Sequence, residues 1–324
     1  MGVAALTERF FLVGGAGFIG SHLTDRLLDE ETHGVTVYDN FSSGRAWHLE
    51  GHRDDSRLAV VCGDVKDLEA LTRAMRGHEV VVHLASNPDI ARAATEPAID
   101  FGEGTLLTHH VVESARRTGV RRVLFASGSG VYGDLGELEV HEDHGPLVPV
   151  STYGASKLAG EGLIAAYAHM FGISGLVFRF GNVVGPRQTH GVGFDFVRTL
   201  LADPTRLRIL GDGRQSKSYV HVFDVVDAML LAHLKVEQPY EAFNVATGDY
   251  VTVTEIADLA ADCLGFDPAG VHYEYTGGNR GWQGDVPVVR LNTERIRSLG
   301  WKAHYSSREA LRESLLALAE EARV

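Results

Sequence analysis

Tyr153 and Lys157 stand four residues apart in Tyr153-Gly154-Ala155-Ser156-Lys157, a spacing that puts a phenol and an ammonium on one face of a helix running to about Phe171. A phenol has a reference pKa of ~10 and is a poor base near neutrality; moving it there takes roughly three units, or about 4 kcal/mol. A neighbouring ammonium and an oxidised nicotinamide both favour the phenolate. The pair therefore suits proton abstraction from a hydroxyl coupled to hydride transfer, and the lysine is also placed to hold a nicotinamide ribose. The same spacing recurs in ordinary amphipathic helices, so its weight comes from what precedes it.

What precedes it is a nucleotide-binding turn. The apolar run Phe10-Phe11-Leu12-Val13 reads as a buried parallel strand, meets Gly14, Gly17 and Gly20, and continues as an amphipathic helix through Leu23, Leu27 and Leu28. The three glycines let the chain turn tightly, let backbone approach a pyrophosphate and let the helix pack close to the sheet. Phe18 and Ile19 open that helix, whose free N–H groups would face the phosphates. A second strand, Val35 to Tyr38, ends in Asp39, at the interval of about 20 residues expected for an acid on the adenosine ribose hydroxyls. A carboxylate there repels a 2′-phosphate. Asn40-Phe41-Ser42-Ser43-Gly44 follows before any arginine, so NAD is preferred to NADP.

The elements that carry these residues alternate. Strands are expected at Arg57 to Val61, Val80 to Ala85, Arg122 to Ala126 and Leu176 to Arg179, with helices over Leu68 to Met75 and Phe101 to Arg117, the latter stopped by Gly119. Asp64 reads either as an adenine contact or as an acid capping the helix at Leu68. His83, within a strand, reads as an interior histidine. This rhythm implies an α/β fold with a doubly wound parallel (Rossmann) sheet. Beyond residue 180 come long loops rich in Gly, Pro and His. Tyr219 to Val222, Asp224 to His233 and Phe243 to Val245 still look sheet-associated. The expected division is an NAD-binding domain over 1–180, completed by segments around 219–247, and a smaller C-terminal substrate lobe over 181–324.

The composition narrows the setting. Thirty Lys and Arg against 43 Asp and Glu give a net charge of −13, which argues against nucleic-acid and anionic-membrane partners. No apolar run approaches a membrane span. The two cysteines, Cys62 and Cys263, lack CxxC or zinc spacing, which favours a reduced, cytoplasmic setting. No metal site is expected. Glu142, Asp143 and His144 read as a solvated surface loop.

In this order the motifs resemble an extended short-chain dehydrogenase/reductase of the NAD-dependent nucleotide-sugar epimerase/dehydratase family, along nearly the whole chain. Besides the residues above, the likeness rests on Asp64-Val65, His83-Leu84-Ala85, Arg179-Phe180-Gly181-Asn182-Val183, Gly185-Pro186-Arg187, Gly211-Asp212-Gly213, Tyr219 to Asp224 and Phe243-Asn244-Val245. It implies cofactor contacts from Ser42, Ser43, Gly44, Leu84, Ala85, Ser86, Phe180 and Val183. It also implies substrate contacts from Asn87, Ser129, Asn182, Arg187, His190, Gln215, Lys217, Tyr219, Arg280 and Asp285. A diphosphate needs cations, which fits Arg187 and Arg280. Gln188 to Val192 and Gly278 to Asp285 resemble a UDP-galactose 4-epimerase-like branch, and dimers are common in the family, built here on the helices near Phe101 and Tyr153. The expected partners are a nucleotide sugar, a UDP-sugar favoured, and a second copy of the chain.

Departures from the family pattern bear on the reaction. Family dehydratases carry Thr-Asp-Glu, and decarboxylases Thr-Ser-Glu, where this chain has Gly128-Ser129-Gly130. Without a carboxylate, removal of water is disfavoured, which leaves C4 epimerisation through a 4-keto sugar. Yet epimerases usually place Ser or Thr at position 128, and Gly128 offers no hydroxyl; Ser127 or Ser129 could replace it, or a water could fill the space. Gly104 stands where many relatives carry asparagine. The competing readings are a related dehydratase or decarboxylase and, from another class, a non-catalytic NAD-binding regulator.

Overall fold

The computed structural model describes residues 8–30 and 33–322. Among them, seven strands form one parallel sheet: β1 (Arg9–Val13), β2 (Gly34–Asp39), β3 (Leu58–Cys62), β4 (Val80–His83), β5 (Arg122–Gly128), β6 (Ser174–Phe180) and β7 (Tyr240–Val245). Their order is β7-β6-β5-β4-β1-β2-β3, the doubly wound arrangement with the strand order reversing beside β1. Such a sheet needs apolar cover on both faces, and β1 shows why its run is continuous. Phe10 and Leu12 point into the cluster shared with Leu23, Leu27, Val225 and Met229, whereas Phe11 and Val13 point into the opposite cluster with Leu71, Val111 and Ile164.

Helices α1 (Phe18–Asp29), α2 (Leu68–Met75), α3 (Leu106–Thr118), α4 (Thr152–Phe171), α5 (Val192–Ala202), α6 (Val222–Lys235), α7 (Val253–Leu264) and α8 (Ser307–Glu321) complete the frame. A further apolar core joins α5, α7 and α8 through Val197, Leu200, Ile256, Leu311 and Leu315, together with Leu207 and Ile209. Reciprocal capping boxes, Thr252 with Glu255 and Ser306 with Glu309, start α7 and α8.

Several expectations change at element ends. β4 stops at His83, because the amides of Leu84 and Ala85 both turn to the Val13 carbonyl, at 2.9 and 3.0 Å. The helix expected from Phe101 begins as a π turn, Phe101–Thr105, before α3. The cap of α2 is Asp67, whose side chain accepts from Ala70 N at 2.9 Å, not Asp64, whose carboxylate accepts from Lys66 N. Phe243–Val245 joins the main sheet in β7, but Tyr219–His221 pairs with Asn182–Val184 in a separate two-stranded unit, and Val222 already begins α6. Glu142 is buried rather than solvated: its carboxylate accepts from the amide of Asn244 at 2.7 Å.

His83 is an interior residue. The Thr108 hydroxyl donates to the Gly104 carbonyl, so at 3.1 Å its oxygen accepts from His83 Nε2–H, and Nδ1 is left bare. Burial pushes the pKa of His83 down to about 3 from an ordinary 6.5. The unfolded chain therefore binds a proton that the folded chain refuses, and stability falls as pH drops from about 6.5 toward about 3. His83→Gln, which keeps a donor for Thr108, is expected to lose less urea resistance than the wild type between those pH values. Equal slopes in the two proteins would remove His83 as a source of acid lability.

Candidate active site

The crevice opens at the carboxyl ends of β1, β4 and β5, where the strand order reverses. Its cofactor side is built by close backbone approach. Gly14 has φ +81°, and a Cβ there would lie 2.7 Å from Ala85 N; at Gly20 it would lie 2.6 Å from Gly15 Cα. Gly17 is less confined, its nearest neighbour 3.2 Å away, and it starts α1 without a side-chain cap. The first amides of α1 thus keep their capacity to bind an anion. Asp39 is buried, accepting from Ala16 N at 3.0 Å and Phe41 N at 2.8 Å, and each oxygen retains a lone pair.

Other expected cofactor residues ring this turn. Asn40 accepts from Ser42 N, and Gly44 is confined by the Asp39 carboxylate, 2.9 Å from where a Cβ would stand. Ser43 is partly buried in the same loop. Tyr38 Oη donates to the Asp64 carbonyl and His110 packs its ring nitrogen on Val65 O. Phe18, Ile19 and Leu84 are half-buried, Phe180 is buried at the end of β6, and Val183 packs on the main core. A bare turn, an uncapped helix and a carboxylate at the end of β2 fit a dinucleotide.

The reactive side lies on the first turns of α4. Ser151 caps the helix, accepting from Gly154 N at 3.1 Å. Lys157 is buried; its Nζ donates to the Ala126 carbonyl at 2.7 Å and lies 5.5 Å from the Tyr153 ring centre. Burial lowers the lysine to about 8, opposed by the charges of Glu161 and Asp100. Burial raises Tyr153 to about 12; the Ser86 hydroxyl pulls the other way, and Asp100 adds to the rise. The protein alone therefore holds the phenol neutral and the ammonium charged at pH 7.

The hydroxyl question is answered in part. Ser127 Oγ donates to Glu161 Oε1 at 2.5 Å, inside a buried network in which Arg179 grips both Glu161 oxygens, at 3.0 and 2.7 Å. Ser127 thus belongs to that network. Ser129 lies in a short helical turn, Ser129–Tyr132, and lines a small cavity with Leu138 and Val289. Gly128 is extended, with φ −164° and ψ 165°, and a Cβ there would meet nothing within 4 Å.

The expected substrate residues divide. Asn182 starts the strand paired to Tyr219, and Tyr219 is buried, its phenol pushed up to about 12 by desolvation. Lys217 Nζ pairs with Asp285 at 2.7 Å, and Arg280 with Asp134 at 2.5 Å. Gln215 donates to the Leu210 carbonyl while its Oε1 is buried and unpartnered. Arg187 sits at φ +63° and pairs with Asp25 of α1 at 2.7 Å. His190 is exposed. Asn87 is buried and donates to Asp100.

Sequence reasoning missed Glu161 and Asp100. Glu161 carried a usable signal, since it repeats the four-residue step from Lys157 on the same helical face. Asp100 carried none; it is fully buried, accepting from Asn87 Nδ2 at 2.9 Å and from Thr152 Oγ1 at 2.7 Å.

A doubly wound sheet, a glycine turn with Asp39, and a tyrosine and lysine on the helix after β5 define a short-chain dehydrogenase/reductase of the extended type. Residues 10–246 match the model of the NAD dependent epimerase/dehydratase family, and the chain belongs to that family. It is 34% identical over 316 residues to a UDP-glucose 4-epimerase of Mycolicibacterium smegmatis, covering 95% of this chain and 97% of that protein. It is similar to a solved UDP-galactose 4-epimerase, with 38% identity, a TM-score of 0.86 and 97% and 99% of the two chains covered. A dTDP-glucose 4,6-dehydratase of Streptomyces venezuelae, solved with NAD bound, is 28% identical, with a TM-score of 0.88 over 97% and 98% of the two chains.

Because Arg179 and Glu161 are both buried, removing one partner strands the other. Glu161→Ala is expected to cost about 3–5 kcal/mol in denaturant unfolding. A loss under about 1 kcal/mol would show that the pair does not carry this part of the fold.

Proposed function

We propose that the protein is an NAD-dependent nucleotide-sugar 4-epimerase, with UDP-hexose or UDP-hexuronate as substrate. The observation that carries this reading is the loop Gly128-Ser129-Gly130 beside Tyr153 and Lys157, which holds no carboxylate for elimination. Asp100, the acid whose charge acts on Tyr153, has both oxygens engaged by Asn87 and Thr152. The names of the relatives, UDP-glucose and UDP-galactose 4-epimerases, support a UDP-hexose.

NAD, when bound, accepts and returns a hydride. Tyr153 takes the proton of the sugar C4 hydroxyl and returns it after the ketone has presented its other face. Lys157, its Nζ 5.5 Å from the tyrosine ring centre, stabilises the deprotonated form and keeps its own position through the Ala126 carbonyl. Asp39 and the turn at Gly14, Gly17 and Gly20 hold the dinucleotide. We assign residues 1–180, completed by 219–247, to cofactor binding and 181–324 to the sugar nucleotide, with Lys217, Tyr219, Asn182 and Arg280 as its contacts.

A homodimer through the pair of helices near Phe101 and Tyr153 is supported by the exposure of Phe101, Met170 and Phe171, at 63%, 72% and 45%. A cytoplasmic setting is supported by two unpaired cysteines. Among the described residues no helix is long and apolar enough to cross a membrane.

Incubation with UDP-, dTDP-, GDP- and CDP-sugars, followed by mass spectrometry and NMR, tests the reaction. Conversion of UDP-glucose and UDP-galactose into one another at constant mass is expected, whereas loss of water or carbon dioxide would replace the reading with dehydration or decarboxylation. Tyr153→Phe should lower turnover at least ~100-fold while NAD stays bound. Retained turnover in that variant would refute the tyrosine's role, and NAD binding with no turnover of any sugar by the wild type would favour a regulator.

A further inference from the structure

Helix α4 is seated on β5 through consecutive residues of the strand. Gly160 lies so close to Phe125 that a Cβ on the glycine would stand 2.8 Å from the ring, and Lys157 Nζ donates to the Ala126 carbonyl at 2.7 Å. Ser127 Oγ then donates to Glu161 Oε1 at 2.5 Å. The reactive lysine and the glutamate one turn after it therefore hold neighbouring residues of one strand, and Lys157, Ser127 and Glu161 are all buried.

That stretch of strand is supported from one side only. β4 pairs with β5 as far as His83 opposite Phe125 and then ends, whereas β6 accompanies β5 on to Gly128. The carbonyl that holds Lys157 belongs to the first residue beyond the last β4 pair. The Ser127 hydroxyl supplies a second hold on the same peptide, and it reaches a carboxylate that is itself fixed. Arg179, which lies opposite Ser127 in the β5–β6 register, donates to both Glu161 oxygens, at 3.0 and 2.7 Å. Those bonds pair Glu161 in bidentate fashion without any help from the serine. What Ser127 adds is the tie between α4 and the peptide that carries the Ala126 carbonyl.

We propose that Ser127 is a positioning residue for the proton-transfer step: its bond to Glu161 fixes the Ala126–Ser127 peptide, and the carbonyl of that peptide sets where the Lys157 ammonium stands beside Tyr153. Lys157 Nζ lies 5.5 Å from the Tyr153 ring centre and 5.1 Å from that of Phe125, so a shift of the strand end changes the spacing of the reactive pair. Ser127 gives up no proton in this role. The proton leaving the sugar hydroxyl passes to Tyr153, and the serine acts only through the lysine. The proposal rests on the reading of Tyr153 and Lys157 as the reactive pair.

The test compares wild type, Ser127→Ala, Ser127→Cys, Lys157→Ala and the double variant Ser127→Ala with Lys157→Ala, each with NAD supplied at saturation. Bound NAD, urea unfolding, and kcat and KM for UDP-galactose are measured, with single turnovers for the slow variants. Ser127→Ala is expected to lower kcat about tenfold to a hundredfold, the scale of displacing a reacting group by up to ~1 Å, while KM and NAD content hold. Ser127→Cys keeps the volume with a weaker donor and falls between the two; it carries the same comparison should Ser127→Ala fail to fold. Where the lysine is already gone, removing the serine costs less than about twofold more, because the two act as one unit. An unchanged kcat in Ser127→Ala overturns the proposal. So does a further loss of about tenfold in the Lys157→Ala background, or a fall in kcat that only follows NAD content. Wild-type turnover in Lys157→Ala would instead overturn the role of the lysine on which the proposal stands.

Discussion

A protonated lysine in a dry interior is the constraint around which this structure is arranged. An ammonium removed from water is expensive unless partners replace its hydration. Lys157 has one carbonyl, that of Ala126, and the faces of two rings, Phe125 and Tyr153. Its charge is retained because Glu161 lies one helical turn further on, and Glu161 cannot face the interior alone either. Register settles the matter: Ser127 of β5, Arg179 of β6 and Asn244 of β7 are paired across the sheet in one row. From that row Ser127 and Arg179 satisfy Glu161. Arg179 goes on to Tyr132 and the Glu142 carbonyl, and Tyr132 donates to Asn244. Four elements thus share the consequences of one charge.

The cofactor turn and the reactive helix are coupled through the same sheet. Val13 of β1 pairs with His83 of β4, so the two strands end level and the loop after β4 folds back onto the glycine turn. Ala85 ends up where a Cβ on Gly14 would stand. Asn87, two residues further on, then reaches Asp100. A glycine whose requirement looks purely local, φ above zero at a tight turn, is also what lets the β4 loop reach α4.

Much of this was legible from residue order, for identifiable reasons. Strands β1 and β4 are apolar on both faces, which only a doubly covered parallel sheet explains. Tyr153, Lys157, Asp39 and the three glycines occupy positions fixed by helical period and strand ends, which sequence spacing records. Contacts set by tertiary register left no such trace. The partner of Arg187, Asp25, lies 162 residues away in sequence, where spacing could not record it. Glu142 looked solvated because its loop is polar, but the Asn244 amide and the Arg295 side chain draw it inward. Ser127 looked available because a serine's partner cannot be read from its neighbours.

The two glycines that depart from the family pattern differ in kind. At Gly104 a Cβ would lie 2.6 Å from Ser156 Oγ and 3.0 Å from its Cβ, and Ser156 is held by its own bond to the Tyr153 carbonyl at 2.8 Å. The glycine therefore matches Ser156, and the π turn that carries it sets the approach of that segment to α4. A side chain could return there only if Ser156 or the turn moved. Gly128 has no such counterpart: its backbone is ordinary and its surroundings are open. Packing therefore explains position 104 and leaves 128 to chemistry.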